Sequence, residues 1–133
     1  MIIDTSALLA ILRDEAEARP CAEAIARADS RRVSAASFLE VAIVIDAGHD
    51  PIASRRLDDL LKLADIAVEP MTVDQARLGR EAYRDFGKGS GHPAQLNFGD
   101  CFAYALAKAS GEPLLYKGAD FAQTDVTPAI ERL

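Results

Sequence analysis

The sequence has no long apolar run. Its longest, Cys101 to Ala107, is seven residues, against the roughly 20 that a membrane-spanning helix needs. It has no basic segment at its start, and Asp4 interrupts the stretch opened by Met1-Ile2-Ile3. No signal peptide is read, and a cytoplasmic protein is expected. Cysteine is scarce: Cys21 and Cys101 stand far apart and fit neither a CxxC site nor a disulfide framework. Within its apolar run Cys101 reads as a buried thiol. Positive charge is short as well, with 15 Lys and Arg against 21 Asp and Glu, a net charge of −6. This excludes a broad, sequence-independent coat for nucleic acid. It does not exclude a site where carboxylates hold metal and a few cations act locally. Repeats, low-complexity tracts and long linkers are absent too.

What remains is 133 residues, half of them apolar and 27% charged, the composition of an ordinary globular chain. One domain over residues 1–133 is expected. Met1–Asp4 reads as a strand, and Thr5 to about Arg13 as a helix with Leu8, Leu9 and Leu12 on one face. A second, Ala-rich helix runs from Glu15 to about Ala28. Arg32–Ser34 is a short strand, and Ala36–Ala47 an apolar helix ended by Gly48. Asp50-Pro51 is an N-cap followed by proline at the first helical position, opening a helix to about Ala64. Ile66–Glu69 alternates as a strand does. Thr72-x-x-Gln75 is a capping box for a helix to about Phe86. Gly87–Pro93 is a loop, Asn97 caps a helix from about Phe98 to Ser110, and Pro113–Tyr116 is a strand. A fifth strand is expected near Val126. Strands alternate with helices and no hairpin signal appears. The expected architecture is therefore a three-layer α/β sandwich with a short, mainly parallel four- to five-stranded sheet flanked by helices.

Ligands of such sheets bind beyond the carboxyl ends of the strands. Four acids fall there: Asp4 at the end of the first strand, Glu40 early in the helix after the second, Asp100 in the first turn after Asn97, and Asp120 in the loop after Pro113–Tyr116. Each also has a plain structural use as a cap, a dipole partner or a turn residue. Glu40 and Asp100, however, sit in apolar surroundings, Phe38-Leu39-Glu40-Val41 and Phe98-Gly99-Asp100-Cys101-Phe102, where a lone carboxylate is costly. Converging carboxylates repel unless cations or protons intervene. An all-oxygen donor set suits Mg²⁺ or Mn²⁺ rather than zinc, and such ions can activate water against a phosphodiester.

These residues resemble those of the PIN-domain ribonucleases. The likeness rests on Asp4-Thr5-Ser6-Ala7 after an N-terminal strand, the isolated Glu40, and Asn97-Phe98-Gly99-Asp100-Cys101. Leu114-Leu115-Tyr116-Lys117-Gly118-Ala119-Asp120-Phe121 with Thr124-Asp125 extends it. The ordered set, over the whole chain, is similar to the VapC toxins of bacterial type II toxin–antitoxin systems. The resemblance implies a PIN fold and an endoribonuclease that hydrolyses RNA with metal-activated water. It implies Asp4, Glu40 and Asp100 as core ligands of Mg²⁺ or Mn²⁺ and Asp120 as the fourth catalytic, metal-holding acid, with Asp125 nearby as the alternative. It also implies a homodimer and a cognate VapB-like antitoxin seated over a groove; Ala7–Leu12 with Ala22–Ala28 read either as that groove or as core.

Ser6 and Thr124 are candidates to orient water or a ligand around the acids, although both are equally ordinary as helix-start and turn hydroxyls. Lys88, Lys117, Arg84 and Arg13 are the candidate RNA contacts, each also explicable as solvated charge. Tyr83 and Phe86 are placed to stack a base or simply to pack a helix face. Other readings fit less well. Gly87-Lys88 lacks the P-loop glycine, since Ala82 occupies its position. His49 and His92 have no metal-ligand spacing. A phosphoacceptor receiver domain would need paired acids after the first strand, where Asp4-Thr5-Ser6 stands. The remaining alternative is a non-catalytic PIN-like module that binds RNA or protein.

Overall fold

Ile2 and Ile3 are neighbours in sequence and belong to different cores. They form β1 (Ile2–Ile3), one of the two inner strands of a sheet completed by β2 (Arg32–Ser34), β3 (Ala67–Glu69) and β4 (Leu114–Leu115). The order is β3-β2-β1-β4 and every pairing is parallel, with Ile2 opposite both Arg32 and Leu114. Side chains alternate across a strand, so Ile3, Val33 and Leu115 join one core and Ile2 and Leu114 the other. The structure, a computed structural model, describes residues 1–131.

The first core is closed by α1 (Thr5–Leu12), α2 (Ala18–Arg27), α3 (Ala35–Asp46) and α4 (Pro51–Leu63), through Leu8, Ile25, Val41 and Leu57. The second is closed by α5 (Val73–Phe86) and α6 (Asp100–Ser110), through Ala82, Ala103 and Leu106. The expected three-layer sandwich results. Each fully buried Leu or Ile contributes roughly 1.5–3 kcal/mol, which explains how strands of two or three residues suffice. None of the helices among the described residues is long and apolar enough to cross a membrane.

The helices begin where the capping residues fall. Asp4, Ser34, Asp50 and Thr72 each accept a hydrogen bond from a backbone N–H of the first turn. At α5 only half of the expected capping box forms, because the Gln75 amide turns to the carbonyl of Pro70. Asn97 and Asp100 do reciprocate: Asp100 N–H donates to Asn97 Oδ1 and Asn97 N–H to Asp100 Oδ2. The helical turns then start at Asp100 rather than Phe98.

The fifth strand expected near Val126 does not form. The chain makes one bridge there, Leu114 to Pro128. β4 is only two residues long, and Leu115 spends its carbonyl on Asp4 of the β1 side. Its outer edge therefore offers the N–H and carbonyl of Leu114 alone, which bond Thr127 and Ala129.

From β1 the chain moves outward through β2 to β3, then returns over the sheet to place β4 on the other side of β1. The carboxyl end of β1 is thus a topological switch point, where open α/β sheets hold ligands.

Candidate active site

Asp4 leaves β1 at that point and is 3% exposed. Its Oδ2 accepts from the Ser6 N–H at 3.0 Å and the Ser6 hydroxyl at 2.6 Å. The Ser6 oxygen in turn accepts from the Lys117 N–H at 2.9 Å, which ties the end of β4 to the start of α1. Among the described residues no Lys or Arg pairs with Asp4. Burial pushes its carboxyl up to about 7, against the two Ser6 hydrogen bonds and with help from Asp100 and Glu40.

Glu40 reaches the same place from the second turn of α3. Thr5 Oγ1 donates to its Oε1 at 2.6 Å. On its other side lies the Cα of Gly99, where a side chain would run into both carboxylate oxygens. Asp100 is half-buried at the head of α6. Burial raises its pKa, opposed by the Asn97 N–H, and Asp120 and Glu40 push the same way as burial while Lys88 opposes. Asp120 is exposed and precedes the 3-10 turn Phe121–Gln123. The four acids, with Thr5, Ser6, Asn97 and Lys117, line one cleft of about 330 Å³.

The structure thus brings together Asp4, Glu40, Asp100, Asp120, Ser6 and the backbone of Lys117. It does not bring the others. Thr124 donates its hydroxyl to the Phe121 carbonyl at 2.7 Å, a turn contact off the cleft. Asp125 accepts from the Tyr104 hydroxyl at 2.7 Å and Lys108 at 3.1 Å on the far side of α6, so Asp120 and not Asp125 is the fourth acid of the cleft. The ammonium of Lys117 is held by Glu15 at 3.0 Å and Glu17 at 3.4 Å. Arg84 pairs with Asp85. Arg13 ends α1 in solvent. Lys88 is exposed in the loop before α6. Phe86 packs edge-on against His92, whereas Tyr83 lines an apolar slot between α5 and α6 with Phe98 and Phe102.

Two contributors escaped the sequence reading, Thr5 and Gly99. Thr5 lay inside the quoted Asp4-Thr5-Ser6 motif, and a buried hydroxyl on a first helical turn must find a partner. Gly99 gave no such signal: its φ of −63° is open to any residue.

Among the described residues, no three carboxylate, thiol or imidazole side chains close around a single point as a finished metal cage would. The chemistry of the donor set still suits a hard divalent cation. All donors are oxygens, and Asp4 is a buried carboxylate with no cation beside it. Mg²⁺ keeps several waters and needs only one or two carboxylates, so a closed cage is not required.

Residues 1–126 match the PIN domain family. The chain is 60% identical over 132 residues to "Ribonuclease VapC28" of Mycobacterium tuberculosis, covering 99% of each. It is 52% identical over 126 residues to "Ribonuclease VapC" of Mycolicibacterium smegmatis, covering 95% of this chain and 97% of the relative. Its fold is similar to the crystal structure of Mycobacterium tuberculosis VapC20, described as a sarcin-ricin loop cleaving toxin, with a TM-score of 0.71, 17% identity and 95% of each chain covered. It is similar to the same degree, TM-score 0.71 at 19% identity and 98% coverage of both, to a chain of a toxin–antitoxin complex from Klebsiella pneumoniae.

Proposed function

The chain belongs to the PIN-domain family, and we propose that it is a VapC-type toxin, a metal-dependent endoribonuclease that hydrolyses RNA phosphodiester bonds. The observation that carries this reading is the convergence of Asp4, Glu40, Asp100 and Asp120 on one cleft. They come from four separate segments, yet meet where this sheet topology holds its ligands.

Asp4, Glu40 and Asp100, with Asp120 as the fourth acid at the mouth, are the residues that would hold Mg²⁺ or Mn²⁺. When bound, such an ion lowers the pKa of a coordinated water and offsets charge on the phosphate. The chain's own side chains supply the order around it. Ser6 fixes the rotamer of Asp4, Thr5 fixes that of Glu40, and Asn97 fixes that of Asp100. Asp120, exposed at the mouth, is placed to orient the attacking water and take up its proton. No thiol competes as nucleophile: burial pushes the Cys101 thiol up to about 11, so the thiolate is scarce at neutral pH. Lys88 is the cation nearest in effect to Asp100 and the candidate partner for an RNA phosphate.

A VapB-like antitoxin fits a groove of about 390 Å³ between α1, α2 and α4, formed by Ile11, Ala22, Ile25, Ala26, Leu60 and Leu63. The expected contribution of Ala7–Leu12 shrinks to Ile11, because Ala7, Leu8, Ala10 and Leu12 are buried core. An antitoxin Arg or Lys reaching the acids would stand in for the metal by charge-assisted hydrogen bonds. A homodimer is supported by Phe98, 76% exposed beside Asp100, and by the exposed Leu39 and Ile43.

The test is RNA cleavage by the purified protein with Mg²⁺ or Mn²⁺ against EDTA, beside Asp4→Asn and Asp100→Asn. Metal-dependent cleavage lost in both variants is expected. A protein that binds RNA but cleaves none of a broad panel of structured RNAs would be the non-catalytic module instead.

A further inference from the structure

We propose that Lys117 is a positioning residue, whose ion pairs with Glu15 and Glu17 pin the loop that carries Asp120 so that this acid faces Asp100 across the cleft. The inference rests on the nuclease reading for its functional consequence and on geometry for its structural one. Lys117 leaves β4 only two residues after the strand ends, and three residues before Asp120. Between them Gly118 adopts φ +99° and Ala119 is exposed, so the intervening chain has little packing of its own. Two anchors restrain the loop. At the far end Phe121 is buried and its ring lies 5.2 Å from that of Tyr116. At the near end the Lys117 N–H binds Ser6, and its ammonium spans to both carboxylates on the turn between α1 and α2.

Charge argues for the same role. A lysine gains affinity for nucleic acid by replacing the counterions condensed on a phosphate, and here two carboxylates within 3.4 Å already occupy the ammonium. An RNA contact would have to displace them. A tether needs them. Partly exposed ion pairs add little to global stability, so the effect of this one is local, on where Asp120 stands.

The experiment compares wild type, the Glu15→Gln/Glu17→Gln double variant and Lys117→Met by amide hydrogen exchange over residues 116–124, by Mn²⁺ affinity and by RNA cleavage kinetics. Faster exchange in that segment is expected in both variants with little change in melting temperature. Mn²⁺ affinity should fall about tenfold, the lower range for residues that orient metal ligands, and kcat should fall with KM held. Unchanged exchange in the double variant would overturn the tether. So would a lower KM with a steeper salt dependence, which would make Lys117 an RNA contact restrained by the acids. If the wild type neither cleaves RNA nor binds Mn²⁺, the nuclease reading fails, while the exchange data still decide the tether.

Discussion

The carboxylate of Glu40 lies against the Cα of Gly99, in the space a side chain would take. Glu40 is fixed there by Thr5 Oγ1 at 2.6 Å. Gly99 stands just ahead of α6 with dihedrals any residue can adopt, so alanine is locally welcome and gains about 0.4–1 kcal/mol by restricting the unfolded chain. Swinging Glu40 aside forfeits the Thr5 hydrogen bond, about 1 kcal/mol. The two effects offset each other. Gly99→Ala is expected to melt within a few degrees of wild type and to lose cleavage by roughly tenfold or more, as when a ligand's support is removed. A melting curve and a cleavage assay on the same preparation check it. Full activity would show that Glu40 need not stand where it does.

Much of this site was legible in the sequence, and the reasons differ by residue. Asp4, Glu40 and Asp100 could be placed because strand–helix alternation fixes which ends of the elements share a rim. Asn97 and Asp100 could be paired because a capping box is a local motif. Lys117 could not be read, because its partners Glu15 and Glu17 lie about a hundred residues away and nothing local distinguishes a tethered lysine from a solvated one. Gly99 could not be read for a similar reason: the atom that forbids its side chain belongs to another helix. Thr124 and Asp125 were near the site in sequence only. The 3-10 turn at Phe121–Gln123, anchored by the buried Phe121, carries them off the cleft.

Asp4 makes the metal-free protein sensitive to pH. Its folded pKa, about 7, lies above the ordinary 3.8, chiefly through burial. Below about 3.8 the proton is bound in both states and Asp4 costs nothing. As pH rises toward 7 the unfolded chain releases the proton while the folded one retains it, so stability falls across that window and levels off above it. The loss is on the order of a few kcal/mol, at 1.36 kcal/mol per pKa unit. Asp4→Asn keeps an oxygen for both Ser6 donors and removes the charge. In EDTA, the wild type should therefore lose stability relative to Asp4→Asn between pH 4 and pH 7, about the range of the shift. Mn²⁺ should shrink the difference. Parallel denaturation curves at every pH would mean that Asp4 is not a buried, uncompensated acid.

The division of labour between Asp120 and Asp125 can be separated by two substitutions. Asp120 lines the cleft and makes no cap hydrogen bond, so Asp120→Asn should leave the melting temperature unchanged and reduce kcat by roughly a hundredfold, the lower range for a lost acid–base group. Asp125 holds Tyr104 and Lys108 and lies off the cleft. Asp125→Ala should cost about 1 kcal/mol of stability and leave cleavage within a few-fold of wild type. The reverse pattern would assign the fourth acid to Asp125.

Lys88 offers the sharpest contrast to Lys117. It is exposed, has no carboxylate within ion-pairing distance among the described residues, and its field reaches Asp100. Its loop is held by the Lys88 N–H to the Leu96 carbonyl, not by the side chain, so truncation leaves the backbone in place. Lys88→Ala is expected to raise KM for RNA with kcat little changed. The slope of log affinity against log salt should drop by about 1, the signature of one lost phosphate contact. Lys117→Met, by contrast, should leave that slope intact and change kcat. Measuring both salt slopes with one RNA decides which lysine meets the substrate: an unchanged slope in Lys88→Ala would remove it from the RNA path.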